Sequence, residues 1–207
     1  MSQQEAANPE ATGERQLAPS SMSPGAHGAV FLDRDGVINE NAYVNRPEDL
    51  VLIPGSAEAI ARLNRAGIRV FVVTNQGGVA MGHLTEETLA EIHKHLHELL
   101  AEQGAHLDGI DYCPHMSSAR VAEYRLDCPA RKPGTGMLER ARDAHGIDLS
   151  ESVLVGDATT DLLAGETAGC RTILVRTGFG GKDGKAEVRP TVEAADLAAA
   201  VDMILSA

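Results

Sequence analysis

"AVFLDRDGVIN", residues 29–39, runs from a short apolar segment into two aspartates and a glycine. The apolar residues predict a buried strand of a parallel sheet, since strands covered on both faces are almost continuously apolar. Asp33 and Asp35 follow that strand one residue apart. Two carboxylates held this close repel each other unless a nearby cation offsets the repulsion. The stretch therefore predicts a charged site at the end of a strand.

Outside this segment, apolar runs alternate with helical patterns. Besides 29–33, strands are predicted at 69–74, 109–113, 152–157 and 171–175, and helices at 56–67, 85–104, 135–146, 160–169 and 194–205. This order predicts an α/β fold, a Rossmann-like doubly wound parallel sheet. Ligands of such sheets bind beyond the carboxyl ends of the strands.

Composition narrows the class of protein. The chain has 207 residues and a net charge of −12, which argues against nucleic acid or an anionic membrane surface as partner. We expect a disordered tail over residues 1–27, a single domain over 28–207, and a monomer. No apolar run approaches the roughly 18 residues of a membrane span. Three cysteines do not suggest an extracellular disulfide framework, so a cytoplasmic location is expected.

Polar side chains follow the other strands as well. Thr74 ends the second, Asp157 ends the fourth, and Arg131 and Lys132 precede a Pro-Gly turn. Crowded carboxylates are best neutralised by a hard cation such as Mg²⁺, which also binds phosphate. One aspartate could then attack phosphorus while the other transfers protons, with Thr74 and Lys132 holding the phosphoryl oxygens. A purely structural turn, with Asp161 a solvated helix residue, is the alternative.

Taken together, these segments resemble the haloacid dehalogenase-like (HAD) phosphatases. "FLDRDGVIN" is similar to their first motif, Thr74 to the second, Lys132 to the third and "GDATTD" to the fourth. The resemblance implies Asp33 as nucleophile and Asp35 as acid/base. It also implies that Mg²⁺ is held by the Asp33 carboxylate, the Asp35 backbone carbonyl and Asp157.

Within this superfamily the chain resembles the cap-less subfamily that hydrolyses D-glycero-D-manno-heptose 1,7-bisphosphate at its 7-phosphate, or histidinol phosphate. The likeness implies a phosphorylated small molecule as partner and selectivity from loops. It places these residues at the substrate: Arg34, Glu40, Asn41, Tyr43, Asn75, Gln76, Gly77 and Arg131. An anionic second phosphate would favour Arg131, whereas a cationic histidinol would favour carboxylates such as Glu40, Glu48 and Asp49. The residues leave both substrates open.

The chain departs from this subfamily at two positions. The likeness implies a structural Zn²⁺ held by Cys113, His115, Cys128 and a further cysteine, but Ala130 occupies the last position. Structural zinc sites normally have four protein ligands. Ala158 stands where a lysine near the phosphate is usual.

Several other residues are predicted to have no part in a functional site. His93, His95 and His97 are expected to be solvated histidines of a surface helix, and Cys170 a small buried apolar residue. The glycine-rich segment 178–185 is expected to be a flexible loop.

Overall fold

The computed structural model describes residues 27–40, 44–188 and 190–206. Its centre is a six-stranded parallel sheet in the order β3-β2-β1-β4-β5-β6. The strands are β1 (Ala29–Leu32), β2 (Arg69–Asn75), β3 (Gly109–Cys113), β4 (Val153–Gly156), β5 (Arg171–Val175) and β6 (Glu193–Ala194). The predicted doubly wound sheet is confirmed, and its first five strands match the apolar runs to within one residue at each end.

Helices cover both faces of the sheet. They are α1 (Ser56–Arg65), α2 (Gly77–Ala80), α3 (Glu86–Ala101), α4 (Gly136–His145), α5 (Thr159–Ala168) and α6 (Leu197–Ser206). The five predicted helices are all present. The Thr85 side chain accepts a hydrogen bond from the Thr88 backbone N–H and so begins α3. Helix α2 and strand β6 were not predicted, because four and two residues are too short to show a period.

Two apolar clusters lie on opposite faces of the sheet. The larger includes Val30 and Leu32 of β1, and the smaller includes Ala29 and Phe31 of the same strand. Successive residues of a strand point to opposite faces, so β1 contributes to both clusters. Cys170 is buried in the smaller cluster, as expected. The central pair β1 and β4 is thus anchored from both sides, which fixes the positions where their carboxyl ends emerge.

Loops, and not a further domain, lie above those carboxyl ends. Between β1 and α1 the described residues contain one 3₁₀ turn, Pro47–Asp49, and between β3 and α4 they contain another, Ala122–Tyr124. This agrees with the cap-less arrangement. None of the described helices has the length and apolar character needed to cross a membrane. The predicted tail lies outside the described residues except for His27.

Candidate active site

Three carboxylates converge where β1 and β4 end. Asp33 follows β1, Asp157 follows β4, and Asp161 lies in the first turn of α5. One oxygen of each lies within 4.8 Å of the others. Burial, and then repulsion from the neighbouring carboxylates, raises the pKa of Asp33 to about 6, although Lys132 opposes the shift. Burial, followed by the charge of Asp33, raises the pKa of Asp157 to about 7. The site therefore favours positive charge.

Two glycines make room for Asp157. A Cβ atom added at Gly36 would lie 2.3 Å from Asp157 Oδ2, and one added at Gly178 would lie 2.0 Å from it. Both glycines have positive φ, which other residues rarely adopt. The backbone N–H of Phe179 donates to the same oxygen at 2.7 Å. The 178–185 segment, expected only as a flexible loop, therefore packs against the site and orients one of its carboxylates.

Lys132 is the buried cation of this cluster. Its Nζ lies 2.6 Å from Asp161 Oδ1 and 3.1 Å from Asp33 Oδ1, and it donates to the Val73 carbonyl at 2.8 Å. Burial alone would lower the pKa of Lys132, but Asp161 and Asp33 outweigh that effect and raise it to about 12. Lys132 is therefore charged, as the transfer of a phosphoryl group requires of a cation at this position.

The Asn75 side chain holds the Lys132 backbone. Its Nδ2 donates to the Lys132 carbonyl at 3.0 Å, and its Oδ1 accepts from the Lys132 N–H at 3.0 Å. Asn75 also lines the cavity above Asp33. The structure thus gives Asn75 a positioning contact, and its direct contact with substrate stays a prediction.

Asp35 is held by a dense set of donors. Arg34 Nη2 donates to both of its oxygens at 2.9 Å, Asn39 Nδ2 donates at 2.9 Å, and Gln76 Nε2 donates at 3.0 Å. Gln76 Nε2 also donates to the Thr74 hydroxyl at 2.9 Å. These bonds fix the carboxylate in one orientation while its side chain keeps 25 % exposure to solvent. An accessible but immobilised carboxylate suits proton transfer.

Arg34 does not reach the solvent. The residue is 1 % exposed, and its guanidinium bonds Asp35 and contacts His93 Nε2 at 3.4 Å. The structure thus gives the Arg34 side chain buried contacts with Asp35 and His93, and its direct contact with substrate stays a prediction. His93 is 7 % exposed, so its interpretation as a solvated histidine was wrong. The sequence showed His93 on the helix but could not show that this face meets a buried arginine.

Two of the remaining predicted substrate residues, Arg131 and Gly77, lie side by side. Arg131 Nη1 donates to the His115 carbonyl at 2.9 Å. Gly77 lies beside the same guanidinium, since a Cβ atom added at Gly77 would lie 3.4 Å from Arg131 Nη2. Glu40 is exposed. Asn41 and Tyr43 lie outside the described residues.

The residues predicted to bind zinc lie together. Ligand atoms of Cys113, His115 and Cys128 are within 4.8 Å of one another, with Cys113 Sγ 3.9 Å from His115 Nδ1. Burial raises the pKa of the Cys113 thiol to about 11. Two thiols and an imidazole are the donors that Zn²⁺ prefers. Ala130 is buried beside this set and offers no fourth donor.

A second polar cluster was not predicted. The hydroxyls of Tyr112 and Tyr124 donate to the two oxygens of Glu86 at 2.7 and 2.9 Å. This cluster ties the 114–131 loop to the start of α3. Tyrosine and glutamate are common surface residues, so their types and spacing gave no signal.

Two neighbouring cavities open at this edge of the sheet. The catalytic cavity, about 130 Å³, is lined by Asp33, Asp35, Thr74, Asn75, Lys132, Asp157, Ala158, Thr160, Asp161, Phe179 and Lys185. The side cavity, about 340 Å³, is lined by Asn75, Asp127, Cys128, Arg131, Lys132, Pro133, Thr160, Leu163, Lys185 and Ala186. A larger cavity thus adjoins the carboxylates.

The carboxylate cluster fits a hard divalent cation. Its oxygens converge, and burial and mutual repulsion make the ionised state unfavourable without added positive charge. Asp161 is missing from the predicted ligands, although the sequence placed it near the fourth strand end. Because its Oδ1 pairs with Lys132 and its Oδ2 accepts from the Ala158 N–H, it is largely occupied within the protein.

Comparison with known proteins identifies what the chain is similar to. A profile described as haloacid dehalogenase-like hydrolase matches residues 30–101, and one described as HAD-hydrolase-like matches residues 129–200. The chain is 46% identical over 185 residues to the D-glycero-D-manno-heptose-1,7-bisphosphate 7-phosphatase of Thermosynechococcus vestitus, covering 85% of this chain and 94% of that protein. It is 45% identical over 155 residues to the D-glycero-beta-D-manno-heptose-1,7-bisphosphate 7-phosphatase of Vibrio cholerae, covering 74% and 83%.

Solved structures give the same likeness. The D,D-heptose 1,7-bisphosphate phosphatase of B. bronchiseptica, complexed with magnesium and phosphate, superposes with a TM-score of 0.78 at 36% identity, covering 86% of this chain and 98% of that one. The corresponding enzyme of Burkholderia thailandensis has a TM-score of 0.65 at 34% identity, covering 87% and 99%.

Proposed function

This chain belongs to the haloacid dehalogenase-like hydrolases, and we propose that it removes the 7-phosphate of D-glycero-D-manno-heptose 1,7-bisphosphate. The product, a heptose 1-phosphate, is suited to activation by a nucleotide. One observation carries the proposal at the level of chemistry: Asp33 faces a cavity that also contains the fixed carboxylate of Asp35 and the buried cation of Lys132.

Asp33 is the proposed nucleophile. One of its carboxylate oxygens attacks phosphorus, a bond forms between them, and the bond from phosphorus to the sugar oxygen breaks. Lys132 Nζ, which lies 3.1 Å from Asp33, neutralises charge that develops on the phosphoryl oxygens. The buried Thr74 hydroxyl lines the same cavity and can donate to one of those oxygens.

Asp35 is the proposed proton carrier. It gives its proton to the departing sugar oxygen and then takes a proton from the water that attacks the aspartyl-phosphate. That second attack breaks the bond between phosphorus and Asp33 and releases inorganic phosphate. Arg34, Asn39 and Gln76 hold the Asp35 carboxylate toward the cavity throughout both steps.

Mg²⁺ is the proposed cofactor. The side chains of Asp33 and Asp157 and the backbone carbonyl of Asp35 would hold it, and bound Mg²⁺ supplies positive charge for the phosphoryl oxygens. The convergence of the carboxylates supports this assignment.

The substrate is better matched by a bisphosphate than by histidinol phosphate. Two carboxylates that could favour a cationic substrate, Glu48 and Asp49, instead pair with Arg46. Arg131 lines the cavity next to Lys132 and brings a positive charge to it. In Mg²⁺ buffer we expect kcat/KM for the heptose bisphosphate to exceed that for histidinol phosphate by about 1,000-fold, as a site with matched charges can achieve. A preference for histidinol phosphate would overturn the substrate assignment.

We also propose that Cys113, His115 and Cys128 hold a structural Zn²⁺ with three protein ligands. The closeness of the three donor atoms supports this. Metal analysis should find about one zinc per chain, and Cys128→Ser should remove it. A native protein purified without zinc would contradict this.

We further propose a monomer in the cytoplasm. The three cysteines all lie among the described residues and form no disulfide, as in a reducing compartment.

Substitution of Asp33 and of Asp35 tests the mechanism. Asp33→Asn should lower kcat by at least about 10⁴-fold and yield no phosphorylated protein. Asp35→Asn should lower kcat by at least about 10²-fold, since the departing sugar oxygen and the attacking water both lose their proton carrier. Mass spectrometry of the digested protein then shows whether any phosphate is held on Asp33. Asp143→Asn, at an exposed aspartate of α4, is the control and should leave turnover unchanged. Normal turnover by Asp33→Asn would refute the mechanism.

A further inference from the structure

Lys185 is a cation at the candidate site to which no role has yet been given. It is exposed, lies in the loop after β5, and lines both the catalytic and the side cavity. Its Nζ lies 5.6 Å from the centroid of the Phe179 ring. Among the described residues it forms no ion pair with a carboxylate. Its charge is therefore available to a ligand, whereas the charge of Lys132 is already balanced by Asp33 and Asp161.

The side cavity carries excess positive charge. Apart from Lys132, whose charge Asp33 and Asp161 balance, its lining contains the cations Arg131 and Lys185 but one carboxylate, Asp127. The catalytic cavity, in contrast, contains four carboxylates and the same two lysines. An anion that extends away from the reacting phosphate would leave the carboxylates and meet the cations of the side cavity. The two cavities adjoin each other, since Asn75, Lys132, Thr160 and Lys185 line both.

The start of α5 offers no comparable cation. Ala158 is buried at its N-cap, and the following Thr159 is occupied by Asp183, which accepts from its N–H and its hydroxyl. Asp183 belongs to the same loop as Lys185, so this bond also fixes the position of the loop two residues before the lysine. The loop is thus held at the cavity by Phe179 and Asp183, with Lys185 free to turn toward a ligand.

We propose that Lys185 binds the non-reacting phosphate of the substrate in the side cavity, which Arg131 also lines. This inference rests on the proposed function, because it needs a substrate with a second phosphate. Lys185 would act on substrate selection and not on the chemical step, since it lies outside the set of groups that bond Asp33. A bond between charged groups is among the stronger hydrogen bonds in proteins.

The experiment compares Lys185→Met with Lys182→Met on two substrates. Lys182 is an exposed lysine of the same loop that lines neither cavity, so it controls for loss of net charge. The substrates are heptose 1,7-bisphosphate and heptose 7-phosphate, which share the reacting group and differ in the second phosphate. We expect Lys185→Met to raise KM for the bisphosphate about tenfold, with kcat within about twofold, and to leave KM for the monophosphate unchanged. Lys185→Arg should restore most of the affinity.

Three outcomes would overturn the inference. The KM of Lys185→Met for the bisphosphate could remain that of the unmodified protein, it could rise equally for both substrates, or Lys182→Met could have the same effect. Failure of the proposed function would appear separately, as absence of bisphosphate hydrolysis by the unmodified protein. Thermal unfolding of each variant, which we expect to match the unmodified protein, shows that any change in KM is not a loss of folded enzyme.

Discussion

At the scale of single residues, a buried imidazole supports the arginine that orients Asp35. Burial, and then the charge of Arg34, lowers the pKa of His93 to about 3, so the ring is neutral at any working pH. A neutral imidazole can accept from the guanidinium, whereas an imidazolium would repel it. His93 is therefore a positioning residue that acts on Asp35 through Arg34.

Replacing His93 tests this role. We expect His93→Leu to lower kcat about tenfold with KM nearly unchanged, because Arg34 loses an acceptor and Asp35 a fixed orientation. His93→Gln keeps a neutral acceptor and should retain most of kcat. The matched control is His97→Leu, an exposed histidine of the same helix. Steady-state kinetics measures all three, and equal kcat values for the Leu and Gln variants would contradict the role.

At the scale of elements, two loops are tied to helices by side chains. Glu86 at the start of α3 accepts from Tyr112 and Tyr124, and Asp183 accepts from the Thr159 N–H and hydroxyl at the start of α5. The first contact holds the loop that carries Arg131, and the second holds the loop that carries Lys185.

Loss of the helix contact at α5 should reduce stability. Asp183→Ala leaves the Thr159 N–H without its acceptor, and we expect the free energy of unfolding to fall by about 1 kcal/mol, as for other losses of a capping group. Chemical denaturation followed by circular dichroism measures the change. Asp143→Ala, at an exposed position of α4, should change it by less than about 0.5 kcal/mol. A larger effect at Asp143 than at Asp183 would count against the cap.

Loosening the other loop should affect substrate binding. We expect Tyr124→Phe to raise KM about threefold with little change in kcat, because the loop before Arg131 loses its bond to Glu86. Tyr112→Phe removes the neighbouring hydroxyl from a strand that the sheet already holds, so its KM should change less. Equal increases in the two variants would assign the effect to Glu86 itself.

Five strands and five helices could be predicted because each carries an apolar run or a helical pattern long enough to recognise, whereas α2 and β6 do not. The strand ends then placed Asp33, Thr74 and Asp157 at one edge of the sheet. What the sequence could not show depends on contacts between distant segments. The burial of Arg34 against His93 and the approach of Gly178 to Asp157 both join residues far apart in the chain. Such contacts follow from the packing of the sheet and leave no local pattern.

At the scale of the whole molecule, the ionised carboxylates of Asp33 and Asp157 reduce the stability of the fold when no cation is bound to them. The folded pKa values of Asp33 and Asp157, about 6 and about 7, lie above the ordinary value of 3.8. Between pH 4 and 7 the folded protein therefore binds more protons than the unfolded chain. Stability contributed by these groups is present at low pH and is lost as the pH rises.

Metal removal should expose this dependence. In a chelator, we expect the unfolding temperature to fall between pH 5 and pH 8, and Asp157→Asn to reduce the slope. Mg²⁺ should raise the unfolding temperature more at pH 8 than at pH 5, because protons no longer compete for the carboxylates. At 100 times its Kd the gain is about 2.7 kcal/mol. Equal stabilisation at both pH values would contradict the assignment of Mg²⁺ to these groups.

The close fit of Gly36 and Gly178 around Asp157 sets limits on how the enzyme could be redesigned. A methyl group at either position would collide with a carboxylate oxygen of Asp157, so both positions must remain glycine. Lys182, in contrast, is exposed and lines neither cavity, so its side chain can be varied without disturbing these contacts. A library meant to change which sugar is accepted should therefore vary exposed positions after Gly181, and it should keep Asp183 and the preceding turn unchanged.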